Sequence, residues 1–267
     1  MISSESNAQI KEIIKLQKQA KYRRKTGCFV VEGRKMVSES ASYGKLKKVY
    51  CSESYYSERN EDITEHLVSY PVEIVSDAVF RQITQTVTPQ GILGIVSMPV
   101  YSKEEILESS RRQYVLLDNL RDPGNLGTII RTSEGAGMTA VVMSRESVDL
   151  FNPKVVRSTM GAIFRVPYLY VDSLTEFIRQ LKELSVPVYA TAMEGSVCYD
   201  KASYQKGAAI VIGNEANGVS KEVFDEATHR IYIPMEGRLE SLNAAVATAL
   251  IVYEMARQNR EISCHLE

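Results

Sequence analysis

The sequence predicts an α/β protein with two domains. Short apolar runs alternate with segments of helical periodicity, as strands and helices do in α/β folds. In the C-terminal half the apolar runs lack polar alternation, which is typical of a parallel sheet buried on both faces. A chain of 267 residues suggests one large or two medium domains. We predict a small α/β domain at 1–98, a linker at 99–112 and a larger α/β domain at 113–267.

The first domain is predicted from its helical and extended segments. A rough apolar stripe that includes Ile10, Ile13 and Ile14 favours one helix over 7–25, which Gly27 ends. The further predicted elements are strands at 28–31, 46–51, 72–75 and 91–98 and a helix at 34–42.

The linker and the second domain continue the alternation. Ser102 and Glu105 have the spacing of a capping box, which predicts a short helix in the linker. Ser241 is predicted to N-cap the last helix. The predicted elements are strands at 114–117, 140–143, 165–170, 186–190, 208–212 and 230–233 and helices at 126–134, 152–160, 173–184 and 241–258.

Composition is ordinary for a soluble protein, with 44% hydrophobic and 24% charged residues. No apolar run approaches the roughly 20 residues that span a membrane, and the N-terminus lacks the features of a signal peptide. The cysteines are scattered without a CxxC pair, which disfavours a disulfide framework or a zinc site. We therefore expect a cytoplasmic protein without a metal. The four cysteines are Cys28, Cys51, Cys198 and Cys264.

Charge is unevenly distributed along the chain. The net charge is only −1, which by itself disfavours an RNA-binding protein. Residues 1–50, however, hold 12 Lys/Arg and 4 Asp/Glu, and the remaining chain holds 20 and 29. Seven of the basic residues lie between Lys11 and Lys25. This pattern indicates a patch for phosphates, and the alternative is a solvated helix face.

Three polar segments follow apolar runs of the second domain, where open α/β sheets bind ligands. They are Asn119–Arg131 (NLRDPGNLGTIIR), Val211–Gly218 (VIGNEANG) and Ile231–Val246 (IYIPMEGRLESLNAAV). In the first, a helix start with free N–H groups suits an anion, and an arginine adds a phosphate clamp. The alternative is a βα turn with a surface arginine.

Single residues of the other two segments also have two interpretations. Gly213 permits close backbone approach to a ligand. The carboxylate of Glu215 would either hold substrate or cap the next helix start. Ser241 would either line the site or serve only as a helix N-cap.

All three segments, in this order, resemble the signature of the SpoU (TrmH) family of RNA ribose 2′-O-methyltransferases, which belongs to the SPOUT class. The resemblance covers about residues 112–260. It implies S-adenosylmethionine as cofactor, a C-terminal trefoil knot, and a homodimer with the active sites at the subunit interface. The knot could not be predicted from sequence rules alone. Residues 29–34 and 88–92 are similar to the RNA substrate-binding domain whose fold is like ribosomal protein L30e.

The resemblance also implies the site residues. The catalytic set is Arg131, Asn125, Glu215, Ser241 and Asn243. The cofactor contacts are Thr191, Ala192, Met193, Gly213, Ile233 and Leu242.

The chemistry of the predicted reaction lacks an obvious general base, since the three histidines, His66, His229 and His265, lie outside the core of these segments. Arginine stays protonated at physiological pH and is a poor base. We therefore expect Arg131 to orient a substrate phosphate and stabilise the developing alkoxide, while the phosphate takes the proton. Asn125, Ser241 and Asn243 would position the ribose.

A further stretch, Asn152–Pro167, is also similar to the family. Its Lys154, Arg157 and Ser158 would contact RNA at the site, or the stretch is only a connecting helix with close packing at its glycine.

Other enzyme classes fit the sequence less well. A nicotinamide dehydrogenase is disfavoured because Gly135-Ala-Gly137 lacks the third glycine and ends a helix. Neither a GxSxG elbow nor a P-loop is present in the sequence. A basic domain like that of L30e favours ribosomal RNA over tRNA as the substrate. A tRNA methyltransferase and a non-catalytic RNA-binding protein of the same fold are the alternatives.

Overall fold

The computed structural model describes residues 1–58, 67, 69–192, 196–205 and 207–264, with backbone alone for 261–264. The chain separates into two compact units. The first comprises Met1–Val100 and Asp149–Phe164, and the second comprises Tyr101–Val148 and Arg165–Glu267. The segment 149–164, which falls within the predicted range of the second domain, therefore packs with the first unit.

The first unit is built on a four-stranded mixed sheet. Its strands are β1 (Cys28–Glu32), β2 (Leu46–Ser52), β3 (Val72–Val75) and β4 (Ile92–Ser97), in the order β1-β4-β2-β3. β4 is antiparallel to β1 and β2, and β2 is parallel to β3. All four predicted strands are thus present. Among the described residues, the helices up to β4 are α1 (Ala8–Lys18), α2 (Ala20–Thr26), α3 (Arg34–Ser42), α4 (Glu53–Glu58) and α5 (Asp77–Ile83).

The prediction of one helix over 7–25 is wrong. Gln19 is extended, with φ −121° and ψ 104°, and separates α1 from α2. The guanidinium of Arg23 donates to the carbonyls of Leu16 and Gln17 at 2.7 and 3.0 Å. These two bonds satisfy carbonyls at the end of α1. Apolar periodicity carries no signal for such a break.

Helices α4 and α5 were not predicted. Each is a short helix, of six and seven residues. Such lengths are marginal in isolation, so packing rather than local propensity stabilises them. Val79, Phe80 and Ile83 of α5 are buried in the core of the unit.

The two segments that resemble the L30e-like domain meet at the start of α3. Gly33 precedes this helix with φ 92°, in the region that favours glycine, and it has no side chain to cap the helix. The side-chain oxygen of Gln90 accepts the Arg34 N–H at 2.8 Å instead. Gln90 therefore performs the capping role from outside the helix.

The segment 149–164 contains α8 (Pro153–Ser158) and a 3-10 turn (Ala162–Phe164). Its aromatic rings lie against the core of the first unit. The ring centroid of Phe29 is 4.8 Å from that of Phe151 and 6.1 Å from that of Phe164.

The second unit is built on a seven-stranded sheet in the order β7-β6-β5-β10-β8-β11-β9. Every strand pair in it is parallel. β5, β6 and β10 are buried along their whole length, as their apolar runs 114–117, 140–143 and 208–212 predict. The strands are β5 (Gln113–Leu117), β6 (Ala140–Ser144), β7 (Tyr168–Val171), β8 (Val188–Thr191), β9 (Val197–Cys198), β10 (Ala208–Ile212) and β11 (His229–Tyr232).

Five helices of the second unit are described. They are α6 (Lys103–Leu107), α7 (Pro123–Ala136), α9 (Leu174–Glu183), α10 (Lys221–Glu226) and α11 (Ala244–Cys264). The predicted capping box of Ser102 and Glu105 is present at α6. Buried Leu174, Phe177 and Ile178 of α9 join the core beneath the sheet.

The prediction that Ser241 N-caps the last helix over 241–258 is wrong. The side-chain oxygen of Asn243 accepts the N–H groups of Ala245 and Val246 at 2.9 and 3.2 Å. Helix α11 therefore begins three residues later, at Ala244, and it continues to Cys264. Both Ser241 and Asn243 are suitable cap residues, so the sequence alone did not distinguish them.

The C-terminal helix is fastened to the connection between β8 and β10. Gln258 accepts the Tyr204 N–H and donates to the Ala202 carbonyl, both at 2.9 Å. Asn259 donates to the Tyr204 carbonyl at 3.1 Å. Within the described part of the chain, no helix is both long and apolar enough to cross a membrane.

We expect Gln90→Ala to lower the free energy of unfolding by about 1 kcal/mol, since it removes the cap of α3. Gln85→Ala is the matched control, because Gln85 is exposed in the same loop and only its backbone N–H forms a described bond. It should change stability by less than about 0.5 kcal/mol. Urea denaturation measures both, and equal effects would contradict the capping role.

Candidate active site

The three polar segments converge at one edge of the sheet of the second unit. They follow β5, β10 and β11, and the loop after β8 joins them. In the sheet order β5-β10-β8-β11 these four strands are neighbours. Ile212 is opposite Leu117, and Ile231 is opposite Thr191. Because all four strands are parallel, their C-terminal loops lie side by side, as expected for a ligand site.

The carboxylate of Glu215 links the loop after β10 to the start of α7. Its oxygens accept the backbone N–H groups of Arg121 and Asp122 at 3.2 and 3.0 Å. The Asn125 side chain donates to it at 2.9 Å. The structure shows Glu215 as a capping residue, one of its two interpretations from the sequence. The helix start that it caps is that of α7, whereas the sequence analysis proposed the helix that follows Glu215.

The environment of Glu215 favours the charged carboxylate. Partial removal of water raises the pKa of Glu215. Hydrogen bonds from the Asn125 side chain and from backbone N–H groups at Asp122 and Arg121 lower the pKa by a larger amount. The net result is a pKa below the usual value for glutamate. Glu215 is therefore a permanent acceptor near neutral pH and not a proton donor.

Asn125 extends the link to the third segment. Its side-chain oxygen accepts a hydrogen bond from the Asn243 side chain at 2.8 Å. The Asn243 oxygen in turn caps α11. Glu215, Asn125 and Asn243 thus form one hydrogen-bonded chain that joins all three polar segments.

The start of α7 differs from the expected anion site. Asp122 is the N-cap and accepts the Asn125 N–H at 2.8 Å, and Pro123 occupies the first helical position. Together with Glu215, Asp122 therefore engages N–H groups that a phosphate was expected to bind. The N–H groups of Arg121, Asp122 and Asn125 are thus bound by carboxylates of the chain itself and are not free for a phosphate.

Arg131 lies on α7 with an exposed side chain. Its guanidinium forms no hydrogen bond or ion pair with another residue that the structure describes. Among the predicted catalytic residues, Ser241 shares this property and is exposed in the loop before α11. These two side chains are thus available to an external ligand, whereas Glu215, Asn125 and Asn243 bind one another.

Most of the predicted cofactor contacts are at the ends of β8, β10 and β11. Thr191, Ala192, Ile233 and Leu242 are half-buried, and Gly213 is buried. The Thr191 hydroxyl donates to the Val211 carbonyl at 3.2 Å and so joins β8 to β10. Met193 lies outside the described residues.

The chemistry of these residues fits S-adenosylmethionine. Ala192, Ile233 and Leu242 offer apolar surface suited to an adenine ring and a thioether chain, and the strand-end loops offer backbone polar groups. Among the described residues there is no group of three or more His, Cys, Asp or Glu side chains that could hold a metal ion.

The packing of the loop after β10 requires glycine at position 213 even before a ligand is considered. A Cβ at this position would lie 2.0 Å from the Gly218 carbonyl carbon and 2.1 Å from the Val219 nitrogen. The close approach that requires glycine is therefore to the chain's own loop. Asn214 and Gly218 close that loop with two backbone hydrogen bonds of 2.9 and 2.8 Å.

Several residues that organise these loops were not identified from the sequence. The buried Asp118 accepts the Ser220 N–H at 2.7 Å. The Asn214 side chain donates to the Asn119 carbonyl at 2.9 Å, and Asn119 has φ 59°, which asparagine tolerates. Their positions just after β5 and β10 were the available signal.

We expect Gly213→Ala to lower the free energy of unfolding by about 1–3 kcal/mol, because backbone atoms must move to admit the methyl group. Gly237→Ala is the control, since a Cβ there has no heavy atom within 4 Å. Thermal or urea unfolding measures both. Equal stability of the two variants would refute the crowding around Gly213.

Comparisons with known proteins agree with this geometry. Residues 112–253 match the SpoU rRNA Methylase family, and residues 7–94 match the MRM3-like substrate binding domain. The 23S rRNA (guanosine(2553)-2'-O)-methyltransferase RlmP of Bacillus subtilis is 34% identical over 255 residues, which cover 95% of this chain and 98% of that protein.

Two solved structures contain the cofactor. The AdoMet-bound rRNA methyltransferase from Sinorhizobium meliloti is 34% identical, covers 96% of this chain and 97% of its own, and has a TM-score of 0.82. The SpoU methyltransferase AviRb from Streptomyces viridochromogenes, in complex with AdoMet, is 25% identical, covers 96% and 99%, and has a TM-score of 0.85. The chain therefore belongs to the SpoU family of S-adenosylmethionine-dependent RNA methyltransferases.

Proposed function

We propose that this enzyme methylates a ribose 2′-hydroxyl of large-subunit ribosomal RNA. The observation that carries this proposal is the hydrogen-bonded chain of Glu215, Asn125 and Asn243, which joins the three segments while Arg131 stays exposed and unpaired within the described structure. The relative from Bacillus subtilis is named for 2'-O-methylation of 23S rRNA, which supports both the atom and the RNA class.

The reaction needs alignment more than acid–base power. When bound, S-adenosylmethionine supplies a methyl group on a sulfonium that is already activated for transfer. The protein has to hold the 2′-oxygen in line with that methyl group and to ease the loss of the hydroxyl proton. Alignment alone can contribute about 7–11 kcal/mol to lowering the barrier.

Arg131 is assigned to the substrate. A guanidinium stays protonated at any physiological pH, so it cannot accept the hydroxyl proton. It binds a phosphate oxygen of the RNA and stabilises the negative charge that develops on the 2′-oxygen. The phosphate beside it takes the proton. The exposure of Arg131 supports this role, because its donors are not used by described residues.

Ser241 is assigned to the ribose, and the other three residues are assigned to positioning. Both polar atoms of the Asn125 amide are already engaged by Glu215 and Asn243. Each amide nitrogen donates one of its two hydrogens in these bonds, so one hydrogen remains for substrate. Asn125 and Asn243 therefore hold the loops first and contact the ribose second.

The cofactor pocket is assigned to the strand ends that Thr191, Ala192, Gly213 and Ile233 occupy, together with Leu242 in the loop before α11. The half-buried aliphatic surface there suits the adenine and the methionine chain. Met193 remains a predicted contact.

The first unit is assigned to substrate RNA and the second unit to methyl transfer. These units differ from the predicted domain ranges 1–98 and 113–267 chiefly by the segment 149–164. The match of residues 7–94 to a substrate binding domain supports this assignment. So does the exposure of the basic residues of α1 and α2, which are Lys11, Lys15, Lys18, Lys21, Arg24 and Lys25. The location proposed is cytoplasmic, and cell fractionation that places the protein elsewhere would contradict it.

A trefoil knot is proposed for the C-terminal region. Its support is the fastening of α11 to the β8–β10 connection through Gln258, Asn259 and Tyr204. A path of the chain in experimental density that runs outside this connection would overturn the knot.

A homodimer is proposed through one face of α11. Val246, Leu250 and Tyr253 lie at helical spacing and are 49, 39 and 48% exposed, which is high for large apolar side chains. The Tyr253 hydroxyl lies beside Gly135 of α7. Gly135 and Arg131 are four residues apart and share a face of that helix. A second copy on this surface would therefore bring a subunit boundary close to Arg131.

We expect Arg131→Ala to reduce the rate of methyl transfer by about 10²–10³-fold, the usual effect of removing one stabilising donor. Binding of cofactor should change little, and binding of RNA should weaken only about threefold, as expected for the loss of one phosphate contact. Arg131→Lys should also be slow, because an ammonium cannot reproduce the guanidinium fork. Lys221→Ala, an exposed cation of α10, is the control and should keep full activity.

The assay is tritium transfer from labelled S-adenosylmethionine to rRNA and tRNA from a strain lacking the enzyme, followed by digestion to nucleosides. Label in a 2′-O-methylnucleoside of rRNA is the expected result. Label in tRNA would overturn the RNA class, and label on a base would overturn the ribose as target. The absence of both label and S-adenosylmethionine binding would favour the non-catalytic alternative. Bound cofactor without label would indicate that an assembly intermediate is the substrate. Near-normal turnover by Arg131→Ala would remove Arg131 from the mechanism.

We expect Leu250→Lys to convert the dimer to a monomer, because a charge in the centre of an apolar interface is left unpaired. Light scattering after size exclusion measures the molecular mass. Lys201→Glu, an exposed charge change outside this face, is the control and should leave the dimer intact. A monomeric wild-type protein would refute the proposed dimer.

A further inference from the structure

We propose that the segment 149–164 is part of the RNA-binding surface of the first unit, and that the ion pair of the buried Arg23 with the half-buried Asp149 anchors it. Arg23 is then a positioning residue and not a phosphate contact, although it lies in the middle of the basic run. This inference rests on the proposed function, because it assumes that the first unit binds substrate RNA.

Arg23 differs from the other cations of the run by its burial. Only 3% of it is exposed, whereas its neighbours Lys21, Arg24 and Lys25 are exposed. Its guanidinium donates through Nη1 to the carbonyls of Leu16 and Gln17. These bonds use Nη1, so Nε and Nη2 of the guanidinium are left to bind a carboxylate.

The carboxylate is that of Asp149, the first residue of the segment. Arg23 Nε donates to Asp149 Oδ2 at 3.0 Å, and Nη2 donates to the same oxygen. The second oxygen of Asp149 accepts the Phe151 N–H at 3.1 Å. Asp149 thus joins the buried cation to the turn that places the Phe151 ring against Phe29. Removal of Asp149 would leave the buried charge of Arg23 uncompensated, which destabilises the folded protein.

The segment is attached by one face and exposed on the other. Val155, Val156 and Ile163 are buried, so they fix the orientation of α8 and of the turn after it. Lys154 is exposed, and Met160 is 43% exposed with φ 51°, a conformation uncommon for methionine.

The accessible chemistry of the segment suits RNA. The exposed Lys154 and the half-buried Arg157 can bind phosphates, and the polarizable thioether of Met160 can contact the face of a base. The same unit presents the six exposed cations of α1 and α2. A segment that belongs by sequence to the methyltransferase range thereby adds to the charge that the substrate-binding unit offers to RNA.

The packing of Gly161 supports the interpretation that the position of the segment is specified. A Cβ at Gly161 would lie 2.3 Å from a carboxylate oxygen of Glu39 on α3. The turn after α8 is thus held close to a helix of the first unit at its far end, as Arg23 holds it at the near end.

The decisive variant is Asp149→Asn. It removes a negative charge, which on electrostatic grounds alone should strengthen RNA binding. Asparagine keeps the oxygen that accepts the Phe151 N–H, so the turn itself is preserved. If the pair anchors the segment, Asp149→Asn instead weakens binding by about tenfold, as expected when two phosphate contacts are lost near 0.15 M salt. Arg23→Gln should weaken it similarly.

The probe is in vitro transcribed 23S rRNA, and the full-length protein is titrated by filter binding at several salt concentrations. Lys154→Ala with Arg157→Ala supplies the reference loss. Arg23→Gln or Asp149→Asn added to this pair should cause no further loss, because all act through the same contacts. Arg24→Gln is the matched control from the same helix, and its loss should add to that of the pair. Equilibrium dialysis should show unchanged binding of S-adenosylmethionine by every variant.

Binding by Asp149→Asn that equals or exceeds that of the wild type would overturn the inference. So would full additivity of Arg23→Gln with the Lys154/Arg157 pair, since Arg23 would then contact RNA itself. If Arg23→Gln fails to fold, Asp149→Asn decides the question alone. A wild-type protein that does not bind this RNA would overturn the proposed function as well, so the two failures are distinguishable.

Discussion

The carboxylate of Glu215 is the group on which the arrangement of the site depends. Parallel strands bring their C-terminal loops to one edge, but loops of this kind are polar and need partners for their N–H groups. Glu215 supplies acceptors for two backbone N–H groups before α7 and for the amide of Asn125. Hydrogen bonds to an ionised group are stronger than neutral ones. A single side chain therefore holds the first segment against the second, and Asn243 extends the link to the third.

Because the site is held together by contacts between distant loops, only some of its features could be predicted from the sequence. The strands and the positions of the polar segments follow from apolar runs and their polar ends, and both are visible in a single chain. The partner of Glu215 could not be predicted, because it lies more than 90 residues away at Arg121 and Asp122. The cap of α11 was assigned to Ser241 instead of Asn243 for a related reason, since two good cap residues stood two positions apart. The need for glycine at position 213 was attributed to a ligand, whereas the crowding comes from Gly218.

Charge patterns were informative about the region but not about individual residues. The basic run indicated a phosphate-binding surface, and six of its seven cations are exposed. Arg23 is the exception, and it donates to carbonyls at the end of α1, beside the break of the predicted long helix at Gln19. The bonds from Arg23 to Leu16 and Gln17 depend on tertiary packing, so neither periodicity nor composition registers them. A cation in a basic run is therefore not by that fact a phosphate contact.

The same distinction applies to the catalytic set. Glu215, Asn125 and Asn243 bind one another, and each has a partner that fixes its position before any substrate arrives. Arg131 and Ser241 have no such partner among the described residues and can respond to a ligand. A methyl transfer limited by alignment requires both kinds of residue, because a flexible contact residue aligns nothing unless the loops around it are rigid. The hydrogen-bonded chain of Glu215, Asn125 and Asn243 and the exposed guanidinium of Arg131 thus act together. Loss of either should slow methyl transfer, although the reacting groups stay the same.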